Sequence, residues 1–93
     1  MAVMVKIPAP LRRQTDGRRE VSTEARSVAE CIQHLVEAYP ELQDRLCEPD
    51  GSVRRFINIY VRGEDIRFGA GLATALKDGD DVSIVPAASG GGA

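Results

Sequence analysis

Apolar and polar residues alternate from Ala2 to Ile7, with Val3, Val5 and Ile7 on one side and Met4 and Lys6 on the other, and Pro8 and Pro10 stop the pattern. A period of two over this length predicts a half-buried strand. Asp16-Gly17 is a turn dipeptide, and the polar run Arg18 to Ser22, with Val21 inward, suits an edge strand joined to the first by a long, loose loop. The period then changes. Val28, Cys31, Ile32, Leu35, Val36 and Tyr39 form one stripe of an amphipathic helix. Ser27 followed by Glu30 reads as a capping box, the hydroxyl taking a first-turn amide and the carboxylate returning to the cap's own amide, so the helix starts at Ser27 and ends before Pro40. Pro40 to Leu46 offers one or two further turns, and Glu48-Pro49-Asp50-Gly51 ends the helical part.

From Val53 to Val61 the period is two again. Ile57, Ile59 and Val61 share a face with Arg55, while Arg54, Phe56, Asn58 and Tyr60 share the other. Arg62-Gly63-Glu64-Asp65 is a turn, Ile66-Arg67-Phe68 a short return strand, and Leu72 to Leu76 one helical turn whose leucines cap the core. Lys77 to Asp80 turns into a final strand with Val82 and Ile84 inward. An amphipathic helix against one face of a four- or five-stranded sheet is an α+β two-layer domain. Its extent is 1–86; from 87 to 93, small residues and glycines can neither pack a core nor hold one backbone conformation, so a mobile tail is expected.

Composition narrows the possibilities. With 43% hydrophobic residues and no tryptophan, 93 residues can build one aliphatic core. A formal net charge of -2 gives no general attraction for nucleic acid or an anionic membrane. No apolar run approaches the roughly 20 residues of a span, and the amino terminus lacks the pattern of a secretory leader, so a cytoplasmic protein is expected. Cys31, Cys47 and the lone His34 are too scattered for a metal site; the thiols read as reduced, one of them a core residue, and His34 as a partly exposed helix residue.

No constellation for catalysis is present. GxSxG, HExxH and P-loop patterns are missing, and Gly69-Ala70-Gly71-Leu72 lacks the third glycine of a dinucleotide fingerprint. Asp78, Asp80 and Asp81, like Glu64 and Asp65, sit in turns where solvated charge is the default. The chain reads as a non-enzyme. Phe56, Asn58 and Tyr60, facing away from the core, are open to two readings: cross-strand packing on a solvated face, or a docking patch.

The ordered set Phe56-Ile57-Asn58-Ile59-Tyr60-Val61, Glu64 to Phe68, Gly71 to Leu76 and Asp78 to Ala87, ending in glycines, resembles the ubiquitin-like sulfur carriers of the MoaD/ThiS type, and within them the CysO branch. The resemblance covers nearly the whole chain. It implies a β-grasp fold with a mixed sheet and a tail projecting from the last strand. It also implies a MoeB- or ThiF-like activating enzyme that uses ATP to adenylate the terminal glycine before sulfur displaces AMP to leave a thiocarboxylate; no cofactor is bound by the carrier itself. In the CysO route the acceptor is a PLP-dependent cysteine synthase, and a JAMM-type metalloprotease releases the product.

Aligned on the family's Pro-Ala-x-x-Gly-Gly ending, the reactive carboxylate falls on Gly91, with Gly92 the second choice, and Ala88, Ser89 and Gly90 thread the partner's channel. Six extended residues from Pro86 to Gly91 span at most about 20 Å. Gly92 and Ala93 lie beyond that motif, which implies trimming after Gly91. Docking on the activating enzyme falls to Phe56, Asn58 and Tyr60. Molybdopterin, thiamin, thiolated tRNA or a secondary metabolite remain open as acceptors, as do a protein modifier and an inert interaction module.

Overall fold

A row of four valines runs across the centre of the sheet: Val21, Val5, Val82 and Val61 stand opposite one another on four neighbouring strands. The strands are β1 (Ala2–Lys6), β2 (Glu20–Glu24), β3 (Ile57–Val61), β4 (Glu64–Asp65) and β5 (Asp81–Pro86), in the order β2-β1-β5-β3-β4. β1 and β5 are parallel and the other pairs antiparallel, so the sheet is mixed. This computed structural model describes residues 1–86.

The alternation read from the sequence sets the two faces. Val3, Val5, Ile57, Ile59, Val61, Val82 and Ile84 are buried under the main helix α1 (Val28–Ala38), which contributes Val28, Cys31, Ile32 and Leu35. Burying each aliphatic side chain contributes about 1.5–3 kcal/mol, and these ten aliphatic residues with Cys31, in two layers, account for a buried core without aromatics. The outward row runs Glu20, Lys6, Ser83, Tyr60 and Asp65. β2 is an edge strand, as its polar composition implies.

The helix begins where expected. Ser27 is extended, at φ -146 and ψ 165, and its hydroxyl accepts the Glu30 amide at 3.2 Å. The Glu30 carboxylate accepts not from Ser27 but from the Arg26 amide, at 2.9 Å. After Pro40–Leu42, a single 3-10 turn, the short α2 (Gln43–Leu46) buries Leu42 and Leu46. Both cysteines are buried, where one was expected.

Four local expectations are corrected. The β1–β2 connection is not loose: Ala9–Thr15 is a 3-10 helix that buries Leu11 and Thr15, with the Thr15 hydroxyl held by the Arg12 and Arg18 carbonyls. The third strand starts at Ile57, not Val53, because Val53 is drawn into a bridge with Cys47 and the chain turns at Arg55 and Phe56 before entering the ladder. The return strand is Glu64–Asp65. Ile66–Phe68 is a 3-10 turn, begun by the Asp65 carboxylate accepting the Arg67 amide at 2.8 Å. The turn carrying Leu72 spans only Gly71–Ala73, with Leu72 half-buried and Leu76 buried.

Asp80 also differs from its reading as a solvated carboxylate. It is buried; its Oδ2 accepts the Lys77 amide at 2.7 Å and the Arg62 guanidinium. Arg62 and Gly63, at φ 53 and 84, make the two-residue turn between β3 and β4, a conformation that matches the twist of the strands but strains a non-glycine residue. The ion pair with Asp80 holds Arg62 there, tying that turn to the start of β5.

Candidate functional site

The site is built on β5. This strand lies between its parallel partner β1 and its antiparallel partner β3, so the carboxyl-terminal end of β5 leaves the sheet from an interior position. Pro86 is opposite Ile57 in the last rung with β3. Proline has no N–H to extend a ladder, which gives the strand a defined end. Ala88, Ser89, Gly90, Gly91, Gly92 and Ala93, the expected threading, reacting and trimmed residues, lie outside the described residues, as does the 87–93 segment as a whole.

Of the three expected docking residues, the structure brings two together on one strand face. Asn58 and Tyr60 point outward from β3, half-buried, opposite Val85 and Ser83 of β5. Phe56 lies in the turn before the strand rather than in it, 48% exposed. Arg67 links the turn to the face: its guanidinium donates to Asn58 Oδ1 at 2.8 Å, to the Arg55 carbonyl at 2.8 Å and to the Ile57 carbonyl at 2.9 Å. These bonds fix the Asn58 amide and close the start of β3.

Two exposed apolar residues were not singled out from sequence. Val85, 41% exposed, extends the Asn58–Tyr60 face toward the tail, and the alternation of Val82 and Ile84 already placed it outward. Phe68 is 92% exposed at the end of its 3-10 turn. A strand reading of Ile66–Phe68 hid it.

Elsewhere the chemistry is quiet. Among the described residues no three His, Cys, Asp or Glu side chains gather to hold a metal ion. Burial pushes the Cys31 thiol up to about 11, and Cys47 is raised by burial with a smaller opposing influence from Arg54. Neither is an activated nucleophile. His34 is half-buried, with Nδ1 against the Glu24 carbonyl. No helix among the described residues is long and apolar enough to cross a membrane.

One main helix on a mixed sheet, with the parallel pair β1–β5 inside it and β5, the last described strand, at its centre, is the ubiquitin-like β-grasp arrangement. The chain belongs to the ThiS family, whose pattern matches residues 5–91. Its relatives include the sulfur carrier protein CysO of Mycobacterium tuberculosis, 45% identical over 93 residues and covering 98% of this chain and 100% of the relative. The crystal structure of that protein matches with a TM-score of 0.84 over 91% of this chain and 98% of the other. A complex of BexX and CysO from Amycolatopsis orientalis matches with a TM-score of 0.85 and 39% identity, over 91% of this chain and 94% of that chain. Small archaeal modifier protein 3 of Haloferax volcanii is 38% identical over 65 residues, 70% of either chain. The family is one of substrate-carrying proteins rather than enzymes. Such carriers work through partner enzymes, and the Amycolatopsis relative is seen in complex with another protein.

Proposed function

We propose that this protein is a sulfur carrier for cysteine formation, activated at Gly91. The observation that carries the reading is the full-length similarity to CysO, together with a last strand that ends at Pro86 and is followed in sequence by Ala-Ala-Ser-Gly-Gly-Gly-Ala. In this reading an activating enzyme of the MoeB or ThiF kind, using ATP, joins the Gly91 carboxylate to AMP; a sulfur nucleophile then attacks the carbonyl, the C–S bond forms, and AMP leaves. Glycine suits the step because it puts no side chain beside the carbonyl under attack. The thiocarboxylate sulfur then attacks an activated serine derivative on a PLP-dependent cysteine synthase, forming the C–S bond as the serine's leaving group departs; an acyl shift from sulfur to nitrogen leaves cysteine amide-linked to Gly91, and a JAMM-type metalloprotease hydrolyses that bond to release cysteine and the carrier. No cofactor resides in the carrier itself.

Gly92 and Ala93 are removed first. The family match ending at Gly91 supports that assignment, because the two residues beyond it have no counterpart in the matched pattern. The side chains facing outward from β3, Asn58 and Tyr60, with Phe56 at the turn, dock the body while the tail enters the channel.

The test is pyrophosphate exchange by the activating enzyme, with one version of the protein ending at Gly91 and another at Ala93. The first supports exchange, and the second is inert until protease is added. Exchange only with a version ending at Gly92 would move the reacting residue there, and exchange with neither, by an enzyme active on its own carrier, overturns the reading. A modifier role is favoured by the similarity to the Haloferax protein. It predicts isopeptide conjugates to lysines in extract, which a dedicated carrier does not form.

A further inference from the structure

The net charge of -2 conceals a local concentration of arginine. β1 and β5 run parallel, with Lys6 beside Ser83, so the end of β1, the start of β2 and the end of β5 lie at the same edge of the sheet. Arg18 and Arg19 stand there, exposed; the Arg19 carbonyl accepts the Ile7 amide at 2.8 Å, one rung past Lys6. On the other side of β5, the rung between Ile57 and Pro86 puts Arg55 at that edge, and Arg67 joins it by donating to the Arg55 and Ile57 carbonyls. None of these four guanidiniums has a carboxylate within ion-pair distance among the described residues.

The opposite edge carries more acid but is mixed, since Arg62 and Lys77 lie there beside Asp80 and Asp81 is within 4.0 Å of Lys6. Glu24 is level with Ala2, Asp81 with Met4 and Glu64 with Val61, and the Asp78 carboxylate accepts the Ala2 amide. Asp16 and Glu20 sit within the arginine loop and dilute its charge without pairing with it.

We propose that Arg18 and Arg19 on one flank of β5, with Arg55 and Arg67 on the other, form a docking collar for an acidic protein surface surrounding the channel that receives the tail. Any channel that binds the sequence following Pro86 approaches the carboxyl-terminal end of β5, which has arginine on both sides. Arg67 is held in place by backbone carbonyls, so little side-chain entropy is lost when it meets a carboxylate. An acidic protein fits better than a nucleic acid, because the exposed Asp16 and Glu20 lie among the arginines and would repel a continuous run of phosphates. These are exposed charges, so the collar is screened by salt. This inference rests on the carrier reading, and names what its partner must present.

The experiment is calorimetric binding of the full chain to the activating enzyme from 50 to 300 mM NaCl. The Debye length shortens from about 14 Å to about 6 Å across that range. Wild type should weaken by about tenfold across the range. The R18E/R19E protein should bind about tenfold or more weakly at low salt and lose most of the salt dependence, while R18K/R19K keeps most of the affinity and E24K/E64K, at the far edge, is unchanged. Unchanged binding by R18E/R19E, with an unchanged melting temperature, overturns the collar. So does wild-type binding to a 20-base-pair DNA duplex or phosphatidylserine vesicles that R18E/R19E abolishes. If wild type does not bind an enzyme that is active on its own carrier, the carrier reading fails; retention on immobilised poly-L-glutamate then judges the collar alone. Wild type should elute later than R18E/R19E, and co-elution overturns it.

Discussion

Pro86 stands opposite Ile57 in the last rung of the β3–β5 ladder, at the carboxyl-terminal end of the sheet's central strand. Ile57 is buried and so anchors the point where the tail begins. Ile57→Ala should cost about 2–5 kcal/mol in urea unfolding, through lost burial and the cavity left behind. A cost below about 1 kcal/mol would mean the anchor is not packed as described.

Phe56 is half-exposed in the turn before β3, so its replacement should separate docking from stability. Phe56→Ser is expected to change the unfolding free energy by less than about 1 kcal/mol and to raise the KM for activation by about tenfold. Tyr60→Ser should destabilise the fold as well as raise the KM, since Tyr60 is half-buried. Activation kinetics unaltered in both variants would remove this face from the docking surface.

Asp80 accepts from both the Lys77 amide and Arg62, and its replacement leaves the strained Arg62-Gly63 turn without its tie to β5. Asp80→Ala should destabilise the protein by about 1–3 kcal/mol, read as a shift in the urea midpoint with little change in slope. A midpoint equal to wild type would show the pair to be dispensable.

The buried thiols set an alkaline limit. Cys31 is raised to about 11 by burial, so the folded state holds its proton more tightly than the unfolded chain does. Its contribution to stability is complete below the unfolded thiol's pKa and is lost as pH rises toward 11. Stability should therefore fall on that upward limb, and Cys31→Ala should flatten it. Alkylation by iodoacetamide at pH 8 should be slow at both cysteines in the native protein and fast in urea. Rapid native labelling of Cys31 would contradict its burial.

What was legible in the sequence was periodic. The valines of β1 and β5, the stripe from Val28 to Leu35 and the Ser27 cap declare their elements because burial repeats at the strand or helix interval. Short, irregular pieces were not. Val53 alternates with Ile57 in sequence, yet its bridge to Cys47 takes it out of β3, a choice made by a partner six residues upstream. Ile66-Arg67-Phe68 has strand-like composition, but the Asp65 carboxylate on the Arg67 amide winds it into a turn and leaves Phe68 exposed. Asn58 and Tyr60 were legible as a face because period two is unambiguous there. The pairing of Arg67 with Asn58 and the edge shared by Arg18, Arg19 and Arg55 were not, since they depend on which strands become neighbours.

The central claim is that sulfur is carried on the carboxylate of Gly91. The most direct measurement is the intact mass of the protein after treatment with the protease, then with the activating enzyme, ATP and sulfide. Loss of Gly92 and Ala93 is expected, followed by exchange of one oxygen for sulfur, with fragmentation placing the sulfur on Gly91. A mass that stays unchanged, while the same components convert a control carrier, would contradict it.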